Sequence, residues 1–138
     1  MPEAYRFSDN QVISQEQLLE LYGSVGWTAY TDQPALLQQA VAKSLKVISL
    51  WQGEKLCGLI RVVGDGLTII YIQDILVNPS FQKQGLGSQL MTKIFEAYPE
   101  VRQKVLLTEE TPGTRRFYES LGFNSCDDGN VVAFGKFK

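Results

Sequence analysis

Histidine is absent from this sequence. That excludes a Ser-His-Asp triad, a Cys-His dyad and any histidine-rich metal site. A proton-transfer group must therefore be Asp, Glu, Tyr, Lys, Cys or a water. Cysteine is nearly absent too. Cys57 and Cys126 are the only two, and they form no CxxC pair. The chain is not a disulfide scaffold and suits a reducing compartment. Both thiols read as small packing hydrophobes rather than nucleophiles. No run reaches the roughly 18–20 apolar residues of a membrane span, and the opening MPEAYRFSDN has no apolar signal core. A cytoplasmic location without a membrane partner is expected. Surplus charge is also missing. The net charge is −2, with no long run of Lys or Arg, so nucleic-acid binding through phosphate neutralisation is disfavoured.

What is present is globular. Hydrophobic residues make up 44% and charged residues 20% of 138 positions, enough for one ordinary core without staples. Repeats and long linkers are lacking, so a single domain over residues 1–138 is expected.

Residues 4–8 read as a first strand. Ser14 and Gln17 have the spacing of a capping box, with Ile13 and Leu18 placed as a hydrophobic staple. The helix they open ends near Gly23. A second helix follows Asp32 and Pro34, with Leu36, Leu37, Ala40 and Val41 at helical spacing. Three strands come next, over 47–51, 56–63 and 67–77. They are joined by the turn at 52–55 and the hairpin signal Gly64-Asp65-Gly66. From 85 to 98 the period becomes helical, with Leu86, Leu90, Met91, Ile94, Phe95 and Tyr98 on one face. A strand over 101–108 precedes a short helix with Thr111 as N-cap, Pro112 at its first position and Gly122 past its end. Val131 to Phe137 reads as a last strand. The order β-α-α-β-β-β-α-β-α-β describes a mixed α/β sheet.

Two segments carry chemistry. In the first, 77–88, a strand ends and glycines open a helix. Glycine permits positive φ and close approach of a ligand, and the free amides and dipole of a helix start favour an anion. Such a loop can cradle a pyrophosphate, with Lys83 adding a flexible charge. By itself Gly85-Leu86-Gly87 is a weak signal that reads more readily as a plain strand-helix turn than as an anion site. It is not a dinucleotide fingerprint, because the third glycine position is Leu90, and it lacks the GK[ST] of a triphosphate loop. The second segment is Phe117-Tyr118-Glu119-Ser120-Leu121-Gly122-Phe123. Alone, it reads as an aromatic helix end with a glycine stop.

Together the two segments resemble the GNAT acetyltransferase superfamily. Gln82-Lys83-Gln84-Gly85-Leu86-Gly87 matches the family's [RQ]-x-x-G-x-[GA] motif, and Phe117-Tyr118 with Gly122-Phe123 matches its FY-x-x-x-GF element. The element order is similar along essentially the whole chain. The resemblance implies the α/β GNAT fold, with about six to seven strands and four helices. It also implies acetyl-CoA as co-substrate, with no metal. Ile75, Leu76 and Val77 would offer backbone groups to the pantetheine arm. Gln82, Lys83, Gln84, Gly85, Leu86, Gly87 and Ser88 would wrap the pyrophosphate, and Thr111 and Phe117 would flank the cofactor. Tyr118 would sit near the thioester sulfur and protonate the leaving thiolate, a role suited to a phenol of reference pKa about 10. Trp27 and Tyr30, in GWTAY, would wall the acceptor pocket or else belong to the core.

The sequence departs from the family at three positions. Thr111 stands where many members carry a cofactor-contacting Asn. Tyr71 and Leu106 stand where some members carry a glutamate base. Asp74 is then the first candidate base, Glu109 the second, and a water chain the third. The implied reaction is direct acetyl transfer to a primary amine, preferably of a small molecule. A homodimer is compatible with this reading. A peptide or protein N-acetyltransferase, a non-catalytic acyl-CoA sensor and a purely structural domain are the alternatives.

Overall fold

The computed structural model describes residues 4–138. Its strands and helices are β1 (Tyr5–Ser8), α1 (Gln15–Ser24), α2 (Thr28–Thr31), α3 (Pro34–Ala42), β2 (Lys46–Gln52), β3 (Lys55–Gly64), β4 (Ile69–Val77), α4 (Leu86–Ala97), β5 (Gln103–Leu106) and α5 (Pro112–Ser120). A 3-10 turn at Pro79–Phe81 follows β4. The chain falls into two compact units, Met1–Leu106 and Leu107–Lys138.

The first unit holds a five-stranded sheet in the order β1-β2-β3-β4-β5. The first four strands pair antiparallel, and β5 joins β4 in parallel. A parallel neighbour needs a long crossover, and α4 supplies it. Its residues Leu86, Leu90, Met91 and Ile94 are buried, each worth about 1.5–3 kcal/mol of removal from water. Leu18, Leu21, Tyr22 and Leu37 form a second core with Trp51, Leu56, Leu59 and Leu76 of the strands. Helix α1 starts as its sequence dictates. The Ser14 side chain accepts from Gln17 N at 3.1 Å, and Gln17 Oε1 accepts from Ser14 N at 2.9 Å.

Two β-bulges interrupt the ladders. One lies at Leu50/Trp51. The other matters more. Arg61 pairs with Asp74 but Val62 with Ile72, leaving Gln73 as the extra residue of β4. A bulge bends its strand and re-aims side chains. Pairing with β5 covers only Ile69–Ile72 and stops where this bulge begins.

In the second unit Thr111 caps α5 by accepting from Thr114 N at 3.0 Å. The helix ends in a Schellman motif. Phe123 N donates to Tyr118 O and Gly122 N to Glu119 O, both at 3.1 Å. Gly122 has φ +93°, a left-handed conformation that glycine adopts without penalty.

The mixed α/β sheet is as expected, but the counts differ. Among the described residues there are five strands and five α-helices, where six to seven strands and four helices were anticipated. The added helix, α2, is four residues long, too short to display a period. The expected strand at 131–137 is not formed. Val131, Val132, Phe134 and Phe137 are exposed there, and the segment joins no ladder. β-propensity describes a side chain's fit to a paired, half-buried surface, and without a partner strand it has nothing to act on.

Candidate active site

Beyond Ile72 the outer edge of β4 has no strand partner. Asn78 N donates inward to Cys57 O at 2.8 Å. By the alternation of an antiparallel ladder, Leu76 and Asp74 also face β3. The N–H and C=O groups of Ile75 and Val77 therefore point away from β3, toward the side that β5 leaves uncovered. Val77 O accepts from Gln82 Nε2 at 2.9 Å. Of the three residues expected to offer backbone groups, Ile75 and Val77 are oriented to do so and Leu76 is not.

The loop after β4 is built from the same physics. Asn78 accepts from Ser80 N at 2.9 Å and stops the strand. Lys83 takes φ +66°, and Gly85 takes φ +76° as the N-cap of α4. A left-handed lysine is uncommon and carries strain. Gly85 in the left-handed region followed by the right-handed first turn of α4 turns successive N–H groups to one side, the arrangement of an anion-binding nest. Gly85 supplies no capping side chain, and the first amide bonded within the helix is Gln89, to Gly85 O at 3.1 Å. The amides of Leu86, Gly87 and Ser88 thus lack intrahelical partners. A Cβ at Gly85 would meet nothing within 4 Å, so the space above the nest is open. Gln84 is braced from outside, its Oε1 accepting from the Tyr5 hydroxyl at 3.0 Å. These residues fit the pyrophosphate and pantetheine of acyl-CoA.

Beside the bulge lies a buried polar network. Arg61 Nε donates to Asp74 Oδ2 at 2.8 Å, and their side chains are 7% and 3% exposed. The Tyr22 hydroxyl donates to Oδ2 at 2.8 Å, and the Tyr30 hydroxyl to Oδ1 at 2.7 Å. Tyr30 Oη accepts in turn from Arg61 Nη2 at 3.1 Å and from Gln73 Nε2 at 3.2 Å. Arg61 Nη1 reaches Ser44 Oγ at 3.4 Å. Among the described residues no buried side-chain nitrogen or oxygen lacks a partner, as a buried ion pair requires. Burial pushes the Tyr22 hydroxyl far above the usual phenol range, and the Asp74 charge adds to it. Tyr30 is raised as well, again chiefly by burial. Burial opposes the Arg61 charge, but the charge and hydrogen bond of Asp74 outweigh it and hold the guanidinium above its ordinary value.

Trp27 completes this corner. Its ring centroid lies 5.9 Å from that of Tyr22 and 6.2 Å from that of Tyr30, and both Trp27 and Tyr30 are half-buried. The two expected pocket residues are thus brought together with Asp74. That carboxylate accepts three hydrogen bonds, the geometry of an anchor rather than of a free base. Sequence reasoning missed Tyr22, Arg61 and Gln73. A signal existed for Arg61: one arginine inside the apolar run of β3, facing one aspartate inside that of β4.

In the second unit, Tyr118 packs edge-on against Phe117 at 5.0 Å and Phe123 at 5.8 Å. Burial raises its pKa, with a Thr108 hydrogen bond opposing. Thr111 acts as the helix cap, and Glu109 is exposed. Among the described residues no cluster of acidic or sulfur ligands could hold a metal, and no helix is long and apolar enough to cross a membrane.

An acetyltransferase (GNAT) domain family matches residues 9–135. An uncharacterised ycf52-like N-acetyltransferase of Prochlorococcus marinus is 28% identical over 132 residues, covering 93% of this chain and 72% of its own length. The solved structure of a GNAT family acetyltransferase from Streptococcus pneumoniae superposes with a TM-score of 0.82 at 34% identity, covering 98% of this chain and 100% of that one. The structure of AAC(6')-Iy in complex with a CoA bisubstrate analogue shares the fold, with a TM-score of 0.72 at 15% identity over 99% of this chain and 100% of that one.

Proposed function

Because this chain belongs to the acetyltransferase (GNAT) domain family, whose members are acetyl-CoA-dependent N-acetyltransferases, we propose that it transfers acetyl directly to the primary amine of a small molecule within a ternary complex. The observation that carries this reading is that the pairing of β4 with β5 ends at the Gln73 bulge. Beyond it the outward-facing groups of Ile75 and Val77 have no strand partner, on the same strand that leads into the Gly85 nest. Acyl-CoA would lie along that edge, its pyrophosphate on the amides of Leu86, Gly87 and Ser88 and within reach of Lys83.

On this reading the neutral amine attacks the thioester carbonyl, a C–N bond forms, the C–S bond breaks, the thiolate takes a proton from the acid, and the proton that the nitrogen then sheds restores that acid. Tyr118 is the proposed acid, on its place in the family motif and on a burial that keeps its hydroxyl protonated. Holding amine and thioester together supplies much of the rate. The ammonium's proton goes to water rather than to Asp74, which is buried and already accepts from Arg61, Tyr22 and Tyr30. A small acceptor is favoured by the half-buried aromatic corner of Trp27 and Tyr30, which suits a compact body better than an extended peptide. The test is release of free CoA thiol across a panel of polyamines, aryl-alkyl amines, aminoglycosides, amino acids and peptides. Turnover confined to peptides would reject the small-molecule acceptor. Acetyl-CoA binding without any turnover would leave a sensor.

A further inference from the structure

The polar groups beside the bulge differ in one respect: how many of their hydrogen-bonding positions are taken. Asp74 is 3% exposed and already accepts three bonds. Tyr30 Oη donates once and accepts twice, which exhausts a hydroxyl. Gln73 is exposed and donates its Nε2 to Tyr30, and its Oε1 makes no hydrogen bond among the described residues. In a regular strand Gln73 and Asp74 would point to opposite faces. The bulge lets both reach one hydroxyl, so the carboxamide is held beside the Trp27–Tyr30 corner.

Building on the acetyltransferase reading, we propose that Gln73 Oε1 receives the acceptor amine, and that the acceptor is a monoamine with an aryl or alkyl body rather than a polycation. A carboxamide accepts from a neutral N–H. A carboxylate there would favour the ammonium, which has no lone pair for attack. The corner's one ion pair is internally neutralised, and its remaining surface is indole and phenol. That surface suits a single amine on an apolar body, whereas a polyamine would need several unpaired carboxylates.

The experiment compares wild type with Gln73→Leu and Gln73→Glu, using 2-phenylethylamine and spermidine as acceptors. Thermal shift with acetyl-CoA confirms that each variant folds. Gln73→Leu is expected to raise the KM for 2-phenylethylamine roughly tenfold, the scale of one lost hydrogen bond, with unchanged affinity for acetyl-CoA. Gln73→Glu is expected to move the rising limb of kcat to higher pH, because that limb reports the amine in the complex, and to shift preference toward spermidine. An unchanged KM in folded Gln73→Leu, or a wild-type preference for spermidine, overturns this proposal and leaves the acetyltransferase reading standing. No turnover of any amine by wild type overturns both.

Discussion

Arg61 and Asp74 are at once register partners in the β3–β4 ladder and an ion pair, with Arg61 Nε 2.8 Å from Asp74 Oδ2. The pair sits one residue from the bulge that ends the pairing of β4 with β5. The bulge that ends the pairing with β5 and the buried polar network therefore share a few residues of one strand.

Removing one partner of this pair should be costly. Asp74→Ala leaves the Arg61 guanidinium buried without its counter-ion, and a loss of about 3–5 kcal/mol is expected. Replacing both residues with apolar side chains of similar volume should recover only part of it, because the buried Tyr22 hydroxyl loses its acceptor. Urea unfolding of Asp74→Ala and of the double variant measures this. Near-native stability in Asp74→Ala would show that the pair contributes nothing.

Gly87→Asp places a side chain and a negative charge at the first turn of α4. An acidic residue there is compatible with the helix dipole, so the fold should be retained. Affinity for acetyl-CoA should nevertheless fall tenfold or more, since roughly 1.4 kcal/mol of repulsion suffices for that. Calorimetric titration would settle the matter, and an unchanged Kd would reduce the loop to a plain turn.

Tyr118→Phe keeps the ring that packs on Phe117 and Phe123 and deletes the hydroxyl. Affinity for acetyl-CoA should stay within about threefold, while kcat falls by roughly 10–100-fold, at and below the usual acid-base range. Because burial raises the Tyr118 pKa, wild-type kcat should show no falling limb from this group below about pH 10, the ordinary tyrosine value. Full activity of the variant, with chemistry rate-limiting, would remove Tyr118 from the mechanism.

Alkaline stability follows from the same shifts. Tyr22, Tyr30 and Tyr118 all have folded pKa values above the ordinary one, chiefly through burial. Above about pH 10 the unfolded chain has lost phenol protons that the folded chain retains. Fewer protons are then bound in the unfolded state, so stability must fall as pH rises. The Cys57 thiol, also raised by burial, adds to the fall from a somewhat lower pH. Urea midpoints across pH 8–11 should decline, and less steeply in Tyr22→Phe. A flat profile would contradict the burial of these hydroxyls.

Local signals were legible in the sequence because their causes are local. The Ser14 capping box, the Thr111-Pro112 helix start and the Gly122 stop each depend on residues within one turn of chain, and each formed as read. The face of α4 was legible because a period of 3.6 needs only the order of apolar residues. The motif Phe117-Tyr118 with Gly122-Phe123 is likewise a local object, a Schellman ending whose last residue packs on the residue it bonds. Tertiary structure alone decided the rest. A bulge is a mismatch between two strands, so neither strand announces it, and Gln73 could not be distinguished from Asp74 until Arg61 and Val62 were paired with β4. Asp74 could be read from the sequence only as a candidate base, because its partners lie 13, 44 and 52 residues away in sequence. The segment 131–137 has the composition of a strand but not the status of one, because a strand's hydrogen bonds are made to another stretch of chain.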